Sequence, residues 1–153
     1  MDDVTFDEIE IRLRKIAEQR TAVHSIPLNA VALRLISPFE QELTTNQVAA
    51  VNLARVQYRG VATFERDLKD AYVRLSANFG RLRGREDALN RLAALCICPT
   101  YSKHQNTDLI DLLIELCEAL LVAPATLNAA LDLELASVEA TKSIWNWPAN
   151  KRG

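Results

Sequence analysis

Glycine, proline and long apolar runs are all scarce in this chain. Only four glycines and five prolines punctuate its 153 residues. No Asn-Gly or Asp-Gly step is present, so the usual turn chemistry of β-hairpins is missing. No segment alternates β-branched residues with period two, which removes the other local signal for strands. The longest apolar run, Leu112 to Val122, is interrupted by Glu115 and Glu118 and falls far short of the ~20 residues a membrane span needs. The start, Met1-Asp2-Asp3-Val4, is acidic and lacks the basic stretch that precedes the apolar core of a secretory signal. The chain therefore reads as cytoplasmic, with no membrane partner. Three cysteines, an odd number in apolar surroundings, suit reduced thiols better than a disulfide framework. A Gly-rich phosphate loop, a nucleophile elbow and a His-Glu-x-x-His pair are absent.

What is present is helical periodicity. Thr5 and Glu8 form a capping box ahead of Phe6, Ile9, Leu13 and Ile16. Leu28, Val31 and Leu35 repeat the spacing after Ser25-Ile26-Pro27. Ser37, with Pro38 behind it and Glu40 at the capping-box position, predicts a further helix start. Thr44 to Gln47 opens the next helix, and Phe64, Leu68, Ala71, Leu75 and Phe79 form a seam at helical steps. A break or kink is expected at Gly60. Leu89, Leu92 and Cys96 lie on a shorter helix that Pro99 stops, before a loop from Cys98 to Gln105. Leu127, Leu131, Leu135, Val138 and Trp145 share one face of a last helix that begins at Ala123-Pro124 and closes at Pro148. These patterns predict an all-α single domain over residues 1–148, a bundle of about six to eight helices, with residues 149–153 a short basic tail expected to be mobile.

The stretch from Asn106 to Val122 organises this reading. Asp108, Asp111, Glu115 and Glu118 step by three, four and three residues, which places all four on one stripe of a helix. The rest of the circumference is apolar, so the 107–122 helix is expected at the centre of the bundle with one acidic ridge exposed. Carboxylates one turn apart are candidate ligands for Mg²⁺, and the simpler reading is a solvated stripe. The ridge, followed by Val122-Ala123-Pro124 and a final helix, resembles the second half of the MazG-type all-α nucleotide pyrophosphohydrolases. In that family a Glu-x-x-Asp pair and a Glu-Glu-x-x-Glu group on the preceding helix bind magnesium around a nucleoside triphosphate. By that resemblance Asp108 with Asp111, and Glu86-Asp87 with Asn90, occupy the matching positions. Asp108 replaces the first Glu of the pair and Asn90 replaces a carboxylate of the group.

Between Arg55 and Arg91 nine Lys or Arg stand against five Asp or Glu, whereas between His104 and Trp145 seven acids stand against Lys142 alone. Arg81, Arg83 and Arg85, beside Gly80 and Gly84, are candidates to contact phosphate or nucleic acid. Glu65, Asp67 and Asp70 dilute that charge, and the net charge of -2 is not that of a typical nucleic-acid binder. Cys96, Cys98, His104 and Cys117 are soft metal ligands by type, but not at the spacing of a common zinc site. His24 has no nucleophile near it in sequence.

The favoured expectation is a non-enzymatic helical interaction protein, an adaptor, assembly subunit or small regulatory partner, acting through protein contacts and without a cofactor. The alternatives are a degenerate MazG-like Mg²⁺-dependent pyrophosphohydrolase and a helical subunit contacting nucleic acid in a larger complex. Trp145 and Trp147, two residues apart near the last helix end, cannot share one face of a continuing helix and are the candidate interface anchors. Self-association or a protein partner is expected there.

Overall fold

The computed structural model describes residues 4–19, 28–59, 65–97 and 106–140. Among them the chain forms seven α-helices, one 3-10 turn and no strand. These are α1 (Phe6–Gln19), α2 (Leu28–Ile36), the 3-10 turn (Ser37–Glu42), α3 (Thr45–Tyr58), α4 (Glu65–Ser76), α5 (Gly84–Cys96), α6 (Asn106–Ala119) and α7 (Pro124–Ala140). The architecture is the all-α helical bundle that the periodicity predicts. No described helix is long and apolar enough to cross a membrane. The contacts gather into two compact units, Met1–Leu28 with Thr100–Gly153, and Asn29–Pro99.

In the second unit, α3, α4 and α5 pack on one another. Helix α3 opens with the expected capping box: the Thr44 hydroxyl accepts from the Gln47 N–H at 3.3 Å and the Gln47 side chain accepts from the Thr44 N–H at 3.0 Å. The same Gln47 donates its amide to Asn90 at 3.1 Å, and Asn90 donates to the Leu75 carbonyl at 2.9 Å. This buried relay ties α3, α5 and α4 together and fixes their register. The ion pair between Glu42 and Arg85 has the same sequence separation, 43 residues, as the Gln47–Asn90 bond. The two contacts set the entry to α3 beside the first two turns of α5, and α4 packs against both. Asn29, at the start of α2, donates to the Leu95 and Cys96 carbonyls at 3.0 and 3.3 Å, which satisfies orphan acceptors at the end of α5.

The first unit is built on α1, which packs against α6 and α7. Its capping box forms as expected, with Glu8 N–H to the Thr5 hydroxyl at 3.2 Å and Thr5 N–H to the Glu8 carboxylate at 3.0 Å. Ile9 and Leu13 are buried, as are Ile110, Leu113, Ile114, Leu116, Cys117 and Leu120 around α6. Among the described side chains of α6 the exposed ones are Asp111, Glu115, Glu118 and Ala119, so these three carboxylates lie on one stripe open to water. Leu127 and Leu131 face the core from α7.

Four local expectations are corrected. Ser37 does not cap a helix: its hydroxyl donates back to the Leu33 carbonyl at 3.0 Å, because α2 runs through a helical Ile36 straight into the 3-10 turn and leaves no extended residue in the N-cap position. The seam of α4 ends at Ser76, and Phe79 lies in the turn that leads to Gly80 at φ 83°. Helix α6 ends at Ala119, three residues short of the expected Val122. On α7, Glu134 is buried where Leu135 was expected to be, and Leu135 is half-buried. Helix α3 stops at Tyr58 with Arg59 as its C-cap. Gly60, Phe64, His24, Cys98, His104, Trp145, Trp147 and the 149–153 tail lie outside the described residues, as do the side chains of Ile16, Asp108 and Val138.

Candidate interaction surface

The acidic ridge divides into two parts. Asp111 accepts from Arg14 of α1 at 2.6 Å, and Arg14 also donates to Glu10 at 2.9 Å. The hydrogen bond to Glu10, with the charge of Asp111 beside it, raises the Arg14 guanidinium above its ordinary value. Asp111 is therefore half of an α1–α6 clamp. Glu115 and Glu118, one and two turns further on, are exposed and have no hydrogen-bond or ion-pair partner among the described residues. Arg12 makes the corresponding clamp to α7, donating to Asn128 at 2.7 Å and pairing with Asp132 at 2.5 Å.

The ridge ends on Leu121. The Val122 N–H donates to the Cys117 carbonyl at 2.8 Å and the Leu121 N–H donates to the Glu118 carbonyl at 3.2 Å. These two bonds are a Schellman closure, in which the residue after the cap takes the left-handed conformation that glycine supplies without steric cost. Here that residue is Leu121, at φ 60°, the one non-glycine at positive φ among the described residues. Its side chain is 87% exposed, well beyond Ile11, Leu133 and Val73 at 55%, 54% and 53%. Ala119, Ala123 and Ala125 are exposed beside it in sequence, and Ala129, Leu133 and Ala136 continue an exposed small and apolar row along α7. An apolar side chain in water, on a backbone that disfavours any side chain, gains nothing from the folded monomer. Sequence reasoning passed over Leu121 because it counted the leucine in the apolar run of α6. The legible signal was Leu121-Val122-Ala123-Pro124, a helix stop with no glycine in it.

The basic candidates separate in the same way. Arg85 grips Glu42 with two bonds, at 2.6 and 2.7 Å, and its guanidinium lies 5.1 Å from the Phe39 ring centre. That pairing lowers the Glu42 carboxyl below its usual range. Arg91 bonds Asp87 at 2.9 Å and lies over the Phe79 ring at 4.6 Å, and Arg55 pairs with Glu40. Arg81 and Arg83 are exposed, with no partner among the described residues. They stand on a loop that needs both Gly80 and Gly84, since each takes positive φ, 83° and 59°. The α5 N-terminus behind them lacks a side-chain cap and carries Glu86 and Asp87 in its first turn, which opposes an anion at that spot.

The remaining candidates serve the core. Asn90, at the position where the pyrophosphohydrolase pattern has a carboxylate, is 1% exposed and spends its amide on Gln47 and Leu75. Asp87 is held by Arg91. Among the described residues no group of three His, Cys, Asp or Glu is placed to hold a metal ion. Cys96 and Cys117 are buried free thiols. Burial drives the Cys96 thiol far above its usual range, while burial and then the charge of Glu118 push Cys117 up to about 12. Both behave as small hydrophobes. Comparison with protein-family models, curated proteins and solved structures finds no match to this chain.

Proposed function

We propose that the chain is a helical interaction protein that acts by presenting the α6–α7 corner to a protein partner. The observation that supports this reading is Leu121, which combines 87% exposure with a left-handed backbone at φ 60°. A left-handed non-glycine costs roughly 1–2 kcal/mol, and a fully exposed leucine returns none of it through burial. Unfavourable local geometry of this sort persists where a side chain is needed for something other than folding. The flanking Glu115 and Glu118 add charge that would steer an approaching partner and set its orientation. The adaptor, assembly-subunit and regulatory roles share this requirement.

The test compares wild type with Leu121→Asp for the proteins each retains from native lysate after mild crosslinking, with circular dichroism on both. The expected result is at least one protein retained by wild type and lost from a variant of unchanged helicity. Equal retention by both chains would overturn the reading. Magnesium-dependent turnover of a nucleoside triphosphate, abolished by Asp111→Asn, would replace it with the pyrophosphohydrolase reading.

A further inference from the structure

Resting on that reading, we propose that the partner received at the α6–α7 corner is a second copy of this chain, docked through its Arg81–Arg83 loop. The first observation is the pair of unspent charges. Among the described residues four of the other seven arginines of the second unit have a partner: Arg85 has Glu42, Arg91 has Asp87, Arg55 has Glu40 and Arg34 has the Tyr58 hydroxyl at 3.1 Å, while Arg59, Arg66 and Arg74 are exposed singly at the end of α3 and along α4. Arg81 and Arg83 are left exposed on a single loop, with Leu82 half-buried between them. On the first unit, Asp111 is spent on Arg14, while Glu115 and Glu118 are left exposed next to Leu121.

The second observation is the charge of the two units. Residues 29–99 carry ten Lys or Arg against seven Asp or Glu, a net +3, and the rest of the chain carries eight against thirteen, a net -5. Two copies therefore offer complementary surfaces: two carboxylates one turn apart beside an apolar anchor, and two guanidinium groups two residues apart beside a half-buried leucine. Arginine forks match carboxylates in geometry as well as in charge. The two surfaces differ, so the contact is head-to-tail, and a head-to-tail contact that fails to close produces open chains rather than a single dimer.

Sedimentation from low to high micromolar concentration reads this directly, on the full chain at low and at high salt. Wild type should associate with rising concentration and dissociate as salt screens the rim. The charge reversals Glu115→Arg with Glu118→Arg, and separately Arg81→Glu with Arg83→Glu, should each be monomeric. Mixed in equal amounts they should associate again, because one variant retains the loop and the other retains the ridge. Leu121→Gly should weaken association by about tenfold or more while its melting temperature stays level or rises, which separates loss of contact from loss of fold. A wild type that remains monomeric at high micromolar concentration overturns the inference, and if the Leu121-dependent capture from lysate persists the proposed function survives it. Reversal variants that associate like wild type, or a mixture that does not recover, overturn the assignment of these surfaces.

Discussion

The two units solve the same problem, holding amphipathic helices in register, with different chemistry. The second unit does it from inside. Gln47 and Asn90 are 3% and 1% exposed, and their amides join three helices through one relay with the Leu75 carbonyl. The first unit does it from the rim. Arg12 and Arg14 of α1 reach over the edge to the half-buried Asn128 and the exposed Asp132 and Asp111, while the buried residues described on α1, α6 and α7 are apolar except for Glu134. A buried amide relay is unforgiving, because each broken bond strands a desolvated group. Rim clamps are individually weak and tolerant, because water replaces a lost partner. The unit held by tolerant contacts is the one that displays Leu121 and the two unspent carboxylates, where a surface can change without loss of the fold.

The largest expected effect sharpens that contrast by removing core from the rim-clamped unit. Leu113→Ala, at a site 0% exposed, should cost about 2–5 kcal/mol in denaturant unfolding. A loss under about 1 kcal/mol would mean that α6 is not a core element of its unit. Next comes the relay. Asn90→Ala leaves the Gln47 amide and the Leu75 carbonyl without their partner and opens a small cavity, at an expected cost of about 2–3 kcal/mol. Asn90→Asp tests the MazG resemblance at the same place: restoring the carboxylate should destabilise the fold, since it removes the donor to Leu75 and buries a charge. A neutral Asn90→Asp would break the comparison.

Smaller effects belong to the rim. Arg14→Met keeps the aliphatic stem and deletes the α1–α6 clamp, and the loss in denaturant unfolding should be much smaller than that of Asn90→Ala. A larger loss would place the clamp among the essential contacts and erase the difference between the units. The smallest effect is read through pH. Because Arg85 lowers the Glu42 carboxyl below its ordinary value of 4.5, the pair contributes stability above that value, and the contribution is lost as pH falls through the depressed pKa. Glu42→Gln should thus be slightly less stable than wild type at neutral pH, and the gap should close in acid. A gap that widens in acid would reverse the sign of the shift.

How much of this was legible in the sequence depended on how local the cause was. The capping boxes at Thr5–Glu8 and Thr44–Gln47 depend on residues three apart, and both form as read. So does the exposed stripe of Asp111, Glu115 and Glu118 on α6, since 3.6-residue periodicity alone puts them on one face. Ser37 failed as a cap because its conformation depends on how α2 continues into the next turn. Asn90 stands in the local pattern as a departure from a magnesium motif, whereas in the fold it bonds Gln47, 43 residues away in sequence.

Composition and periodicity by themselves determined that the described chain is all-α, where α1 and α3 begin, and most of the apolar faces. Tertiary structure decided which charges are spent and which remain. Asp111 and Glu115 look equivalent in sequence, four residues apart on one stripe, yet Arg14 arrives from 97 residues away to claim the first and nothing described claims the second. Arg85 and Arg83 differ in the same way, through Glu42 and Phe39. The physical reason is range: helix formation and capping are governed by neighbours within a turn, while the pairing of a long charged side chain is set by whichever distant segment the packed core brings within about 3 Å.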